Sequence, residues 1–402
     1  MPETAWLECV ACSARFDVGP MLYGCPACKA RGEIVPLEVA YDLTAISPDL
    51  MRDSAPGIWR WRPLLPPVRQ VSSVSLAEGR TPLIAVRGGW GRLNVLLKNE
   101  TANPTWSWKD RPNCVSVSIA REFGFRRTAA ISTGNHGCAT SAYSAAAGMD
   151  CVIFCHADAP ASQLALMSAY GARVIRGGNQ EALFGQLLGE DYYPCSIFCP
   201  RAGYANPYGI EGFKTIAFEI FEQLGNSAPD RVFVPAGSGD GIYGVWKGFR
   251  ELLALGWMKR APKMMACQAA GADSAFRAFQ RGSHRVQPLE SVSTVALSIA
   301  ERITGDHALR AVYQSGGSVI TCSDQEALEA VRFLLRQGLA FEPASAVPLA
   351  CIRQLAPQAA PGETWVMIGS GSAIKWGNLA ANFQMPRCHA PDSANIHDLS
   401  LD

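Results

Sequence analysis

Three times in this chain a strand-like apolar run ends in a short turn of glycine and small polar residues. RRTAAIS (126–132) runs into Thr133-Gly134-Asn135-His136-Gly137, RVFVPA (231–236) into Gly237-Ser238-Gly239-Asp240-Gly241, and TWVMI (364–368) into Gly369-Ser370-Gly371-Ser372. The first two turns open helices, ATSAYSAAAG and a segment reaching about residue 255. Between and around them strand and helix alternate: CVIFC (151–155), a helix over 160–170, RVI (173–175), and helices over 179–189 and 211–224. Further strands follow at 264–269 and 318–323, with helices near 273–280, 305–315, 324–336 and 343–356. That rhythm predicts an α/β fold with a parallel sheet and helices packed on its faces. In such folds ligands collect beyond the carboxyl ends of the strands, where all three turns fall.

The turns differ in chemistry. Gly237, Ser238, Gly239, Asp240 and Gly241 join a buried-looking strand to a helix, where exposed backbone N–H groups and the helix dipole hold a phosphate. Glycine matters there because a side chain would keep the backbone away from the anion. Asp240 puts a carboxylate where a dianion would sit, so its side chain must point away. Ser132, Thr133, Gly134, Asn135 and His136 set two hydroxyls, an amide and a ring at a helix N-terminus, able to grip a carboxylate, with Asn135 placed to donate to a phenolate oxygen. His136 reads as a hydrogen-bonded wall residue rather than a general base, and the plainer reading of the turn is a capped helix start.

The stretch these turns would serve is Asn103-Pro104-Thr105-Trp106-Ser107-Trp108-Lys109-Asp110-Arg111, followed by a helix from about Asp110 to Phe123. Lys109 stands between two indoles, one residue before an Asp that can cap a helix and three before Pro112, which suits a first helical turn. Apolar surroundings and the positive end of a helix both favour the neutral, nucleophilic amine that a Schiff-base lysine needs. One activated lysine with one phosphate cup and two small polar turns is the pattern of a pyridoxal phosphate enzyme.

Cys9, Cys12, Cys25 and Cys28 form CxxC-x12-CxxC in a short turn-rich segment, a spacing that places four thiolates around zinc. Four protein ligands leave no site for a catalytic water, so the zinc would be structural. The other ten of the 14 cysteines lie scattered, several in apolar runs, and read as small buried hydrophobes. At 402 residues the chain has room for two or three domains. The expected organisation is a zinc ribbon at 1–36, an arm at 37–70 lying on the main body, and a catalytic region at 71–402. Within that region a subdomain at about 113–205 would move, and the polar tail at 386–402 would be flexible. Trp59 and Trp61 alternate with Arg60 and Arg62 in the arm, which reads as packing rather than a base-stacking surface.

Lys plus Arg (36) nearly cancels Asp plus Glu (35), so no global field draws the chain to nucleic acid or membrane. No membrane-spanning apolar run and no signal-peptide pattern are present, and a cytoplasmic protein is expected.

The blocks GIWRWRPLLP (57–66), SLAEGRTPL (75–83), NPTWSWKDR (103–111), STGNHG (132–137), NPYGIEGFKTIAFEI (206–220), PAGSGDGIYGVWKGF (235–249) and FEPASAVPLA (341–350), with the ribbon cysteines, resemble the threonine synthases. These belong to the fold-type II group of pyridoxal phosphate enzymes. The resemblance implies two open, mostly parallel sheets with helices on both faces. It makes Lys109 the cofactor lysine and the shuttle for the α-proton, and 237–241 the phosphate cup. Asn135 would then partner the cofactor 3-oxygen, with Ser132, Thr133 and His136 around the substrate carboxylate. A small-molecule amino-acid substrate and a homodimer are implied as well.

Departures from the family pattern bear on the substrate. Threonine synthases usually read NPYRLEGQKT, with an arginine that grips the phosphate of O-phosphohomoserine; here Gly209 and Phe213 replace the Arg and the Gln. Loss of that guanidinium removes about 1.5–3 kcal/mol, or roughly ten- to a hundred-fold in affinity. Ile368 stands where the family has the Thr that meets the pyridine nitrogen, leaving that contact to Ser370, Ser372 or water. The cup reads GSGDG instead of GNGGN, and Trp106 and Trp108 replace a small residue and a Phe, which should narrow the pocket.

The expected activity is that of a lyase or synthase acting on an amino acid with a β- or γ-leaving group, threonine synthase first. A β-replacing or β-eliminating enzyme, cysteate synthase-like or serine/threonine dehydratase-like, is the alternative. A non-catalytic regulator that binds a partner or nucleic acid through its ribbon is the more remote one.

Overall fold

The computed structural model describes residues 5–47, 49, 57–188, 190–195, 198 and 204–376. The tail expected to be flexible at 386–402 lies outside the described residues, as do parts of the arm and of the segment 196–203. Strands in chain order are β1 (Ala5–Cys9), β2 (Arg15–Phe16), β3 (Leu37–Tyr41), β4 (Leu83–Ala85), β5 (Asn94–Asn99), β6 (Arg127–Ile131) and β7 (Asp150–Cys155). They continue as β8 (Arg173–Arg176), β9 (Tyr192–Pro194), β10 (Arg231–Pro235), β11 (Lys263–Ala269), β12 (Ser318–Cys322) and β13 (Thr364–Gly369). Helices are α1 (Pro26–Lys29), α2 (Asp110–Glu122), α3 (Asn135–Ala146), α4 (Ala161–Ala169), α5 (Gln180–Leu188) and α6 (Ile210–Gln223). After them come α7 (Asp240–Ala254), α8 (Ser274–Gln280), α9 (Asp306–Gln314), α10 (Asp324–Leu335) and α11 (Pro343–Leu355).

Two open sheets carry the α/β body: the strand and helix rhythm predicts the parallel pairing, and the family resemblance implies the two sheets. The larger has the order β12-β11-β10-β13-β5-β4 and the smaller β8-β7-β6-β9. All pairings are parallel except β4 on β5. Strands buried on both faces read as continuous apolar runs, and β10 and β13 do so, with Val232, Phe233, Val234, Trp365, Val366 and Met367 all fully buried. β9 escapes the sequence pattern because it is only three residues long and ends in Pro194.

The ribbon is a third, antiparallel sheet, β2-β1-β3, in which Cys9 lies opposite Leu37 and Ala5 opposite Tyr41. Its last strand is thus drawn from the segment read as arm. Beyond it Trp59 and Trp61 are buried, with Trp59 Nε1 donating to the Val74 carbonyl at 2.9 Å. No helix among the described residues is long and apolar enough to cross a membrane.

Candidate functional site

Parallel pairing brings the carboxyl ends of β5, β13 and β10 side by side. The lysine turn follows β5, the turn 369–372 follows β13, and 237–241 follows β10. Backbone bonds stitch the first two together: Trp108 N donates to Ser370 O at 2.9 Å, and Ser372 N donates to Trp106 O at 3.1 Å. The third is joined by a side chain, since Trp108 packs on Gly241 so closely that a β-carbon there would overlap the indole.

Lys109 occupies the residue just before α2, with its Nζ 5.4 Å from the Phe213 ring centre and 5.9 Å from that of Trp108. Those two rings meet at 4.8 Å and 60°. The two indoles flanking the lysine part company. Trp108 is buried, whereas Trp106 is 37% exposed and adopts φ of 58°, a left-handed conformation unfavourable for so bulky a residue. Expected bulk on both sides of the amine is therefore realised on one side, with the second indole at the rim.

Asp110 is not the helix cap that the sequence indicated. It is the first residue of α2, and its Oδ2 turns back to accept from Thr105 N at 3.1 Å and Thr105 Oγ1 at 3.0 Å. Burial pushes its carboxyl up to about 7, although the Thr105 bonds and Lys375 oppose the rise.

The turn 237–241 has the geometry of an anion cradle. Gly239 has φ of 94°, which glycine alone adopts without strain, and it precedes α7, whose first amides have no intrahelical acceptor. The Asp240 carboxylate faces α9: Oδ1 lies 3.0 Å from His307 Nε2, a close contact in which neither atom makes a hydrogen bond among the described residues. Burial would raise its pKa, but His307, Lys109 and the Phe198 amide outweigh burial and hold it below the usual value.

The turn at 132–137 belongs to the smaller sheet and reaches across to the larger. Asn135 Nδ2 donates to Glu342 Oε1 at 2.9 Å and to Ser298 Oγ at 3.3 Å, while its buried Oδ1 has no hydrogen-bond partner among the described residues. Ser132 Oγ accepts from Gly134 N at 3.2 Å and Gly137 N at 2.9 Å, which realises the capped helix start and leaves its hydroxyl hydrogen to donate elsewhere. Thr133 is exposed.

His136 is a wall residue. Asn113 Nδ2 lies 3.0 Å from its Nδ1 and the Cys195 carbonyl 3.3 Å from its Nε2, so the network assigns the proton to Nε2. Burial first, then the Lys109 charge, pushes its pKa down to about 3.

Ser370 is buried with its Oγ 2.9 Å from Ser345 Oγ, while Ser372 Oγ accepts from Ile374 N at 3.3 Å. Ile368 lies in the core with no exposure, opposite Lys98 of β5. Sequence reasoning did not single out Ser345, Glu342, His307 or Lys375. FEPASA contains two of them, and their local pattern is that of an ordinary helix start. Lys375 is buried, with Nζ donating to the Thr105 carbonyl.

The four ribbon sulfurs lie within 4.8 Å of one another, with Cys9 and Cys28 at 3.7 Å and Cys12 and Cys25 at 3.7 Å. The Ala14 amide and the Cys9 thiol pull the Cys12 thiol down to about 6. Four converging soft donors are the set that holds tetrahedral zinc. Around Lys109 the Asn135 amide, whose Nδ2 can donate, the first-turn amides of α7, which have no intrahelical acceptor, and the primary amine fit pyridoxal phosphate, which offers a ring oxygen, a phosphate and an aldehyde.

Comparison with known proteins agrees with that fit. Residues 74–371 match the family of pyridoxal-phosphate dependent enzymes. The chain is 36% identical over 387 residues to a threonine synthase of Methanocaldococcus jannaschii, covering 92% of each. It is 35% identical over 388 residues to one of Methanosarcina acetivorans, again covering 92% of each. Maize serine racemase superposes with a TM-score of 0.65 at 21% identity, covering 75% of this chain and 91% of that one. An O-ureido-L-serine synthase gives 0.64 at 18% identity, covering 81% and 98%. At those identities the superpositions speak for the fold alone. By sequence, the chain belongs to the pyridoxal-phosphate dependent enzymes, and among them to the threonine synthase family.

Proposed function

We propose that this enzyme acts on an amino acid carrying a leaving group at the β- or γ-carbon, with O-phosphohomoserine as first substrate and threonine as product. The observation that carries the reading is the placing of the Lys109 amine against the contacting rings of Trp108 and Phe213, with Trp108 itself seated on Gly241. Pyridoxal phosphate, when bound, acidifies the α-hydrogen of an amino acid and so permits loss of a group further along its chain. Lys109 holds the cofactor and moves a proton at the substrate α-carbon. Backbone amides of Gly237, Ser238, Gly239, Asp240 and Gly241 would hold its phosphate, Asn135 Nδ2 would donate to its ring oxygen, and Ser370, rather than the self-capped Ser372, would meet its ring nitrogen. Ser132 and Thr133 donate to the substrate carboxylate beside the Gly134 amide, while neutral His136 closes the wall. The small subdomain at about 113–205 closes over the substrate, and the ribbon at 1–36 holds a structural zinc. We also assign the working form to a homodimer in the cytoplasm.

A second reading is favoured by Phe213, which is fully buried against Trp108 at a position where the family has an amide, and by the buried Gly209 in place of arginine. An apolar wall there suits β-elimination or β-replacement on O-phosphoserine, serine or O-acetylserine. Purified protein assayed for phosphate and threonine release from O-phosphohomoserine, with those three as competitors, separates the readings. Threonine formation supports the first. No phosphate from O-phosphohomoserine, with turnover of a competitor, supports the second. A colourless protein inert on all four, with a partner captured by residues 1–36, would replace both with the regulator.

A further inference from the structure

Asp240 is the anomaly of the phosphate cradle. It is the first residue of α7, buried, and its charge lies at the end of a helix that attracts anions. A carboxylate at that position is a tethered competitor for the amides that a phosphate needs. It also repels a dianion at short range through a medium of low dielectric.

The structure shows what restrains it. His307, one residue into α9, places Nε2 3.0 Å from Asp240 Oδ1. The imidazole is itself held edge-on by two rings, Phe198 at 5.1 Å and 80° and Tyr243 at 5.4 Å and 86°. Its backbone neighbourhood is tied to the cradle as well, because Gly305 N donates to Ser238 O at 2.9 Å and Thr304 Oγ1 donates to Gly237 O at 2.8 Å. Gly239 approaches the same imidazole so closely that a β-carbon there would lie 3.2 Å from Nε2. The ring is therefore fixed behind the turn, on the α9 side, and draws the carboxylate with it.

We infer that His307 is a positioning residue for cofactor binding: its imidazole, fixed behind the turn, keeps the Asp240 carboxylate on the α9 side and off the α7 amides, and so lets an aspartate sit in a phosphate cradle. The inference rests on the reading that the turn at 237–241 receives the cofactor phosphate.

The test is cofactor affinity of the full chain, stripped of pyridoxal phosphate and titrated back by absorbance. His307→Ala is expected to bind pyridoxal phosphate about ten- to a hundred-fold more weakly, equivalent to about 1.4–2.7 kcal/mol. His307→Gln, whose polar amide can occupy the same place beside Asp240, should keep most of the affinity. Asp240→Asn should tighten binding, and His307→Ala with Asp240→Asn should recover it, because the repelling charge is gone. Pyridoxal, which lacks the phosphate, should bind wild type and His307→Ala alike. His307→Ala binding pyridoxal phosphate as wild type does, or a double variant as weak as His307→Ala, overturns the inference. If wild type itself binds no pyridoxal phosphate, it is the reading of the site that fails.

Discussion

The Trp108 indole rests on the α-carbon of Gly241, so that any β-carbon at 241 would overlap its distal ring. One contact thus sets the distance between the lysine turn after β5 and the start of α7, across the intervening strand β13. Gly241→Ala should force Trp108 out of its place and drag Lys109 with it. Over-packing of this kind costs about 1–3 kcal/mol. The expected outcome is a folded protein with a lowered melting temperature and sharply reduced pyridoxal phosphate absorbance. Wild-type absorbance in Gly241→Ala would mean that the spacing tolerates adjustment.

His136 should stay neutral throughout the range in which the protein is folded. Its pKa is pushed down to about 3, first by burial and then by the charge of Lys109. An unfolded histidine titrates near 6.5, so the unfolded state takes up a proton that the native state refuses. The resulting stability is fully present above about pH 6.5 and is lost as pH falls toward 3. Nitrogen NMR should show an Nε2–H imidazole that does not titrate between pH 8 and 5. A transition near pH 6 would remove the assignment of His136 as a wall.

Much of the body was legible because its signals are local. β10 and β13 are unbroken apolar runs, and the turns that follow them carry glycine where a left-handed backbone or a close approach demands it. What stayed hidden was pairing at long range. Asn135 meets Glu342 and Asp240 meets His307, and no periodicity in either partner's segment announces the other. Ser345 looks like any small residue in a first helical turn until its hydroxyl is seen beside Ser370 and the Gly371 amide. Local reasoning also misplaced Asp110, since a helix-start aspartate is normally a cap, and this one is diverted by Thr105. Trp106 is the reverse case, where the residue type argues against the φ that the fold imposes.

The ribbon should matter to the body that it is packed on. Glu38 of β3 accepts from Tyr243 OH of α7 at 2.8 Å, and the Gly19 backbone lies against the hydroxyl of Tyr208 at the start of α6. So short a ribbon should depend on a bound metal for its order. Purified protein should contain one zinc per chain, and a chelator strong enough to remove it should lower the melting temperature by several degrees. Full stability after verified zinc loss would make the ribbon a passenger.

Behind the site, the ribbon strand β3 also enters a balanced charge cluster. Lys214 and Lys247 face Glu211 and Glu251, with Lys214 Nζ 3.0 Å from Glu251 and Lys247 Nζ 3.0 Å from Glu211, all four buried. Tyr41 closes the cluster, donating to Glu211 Oε2 at 2.7 Å and offering its ring face to Lys214 Nζ at 3.9 Å. Two cations and two anions cancel, so removing one charge leaves an uncompensated carboxylate in the interior. Lys214→Met should therefore cost about 3–5 kcal/mol in denaturant unfolding. Tyr41→Phe, which deletes one hydrogen bond to a charge, should cost about 1.5–3 kcal/mol. Pairing Lys214→Met with Glu211→Gln restores neutrality and should recover part of the loss, although Glu211 also serves Lys247 and Tyr41. A Lys214→Met variant within about 0.5 kcal/mol of wild type, the range of an ordinary surface substitution, would mean that water or a shifted Lys247 already neutralises the carboxylates.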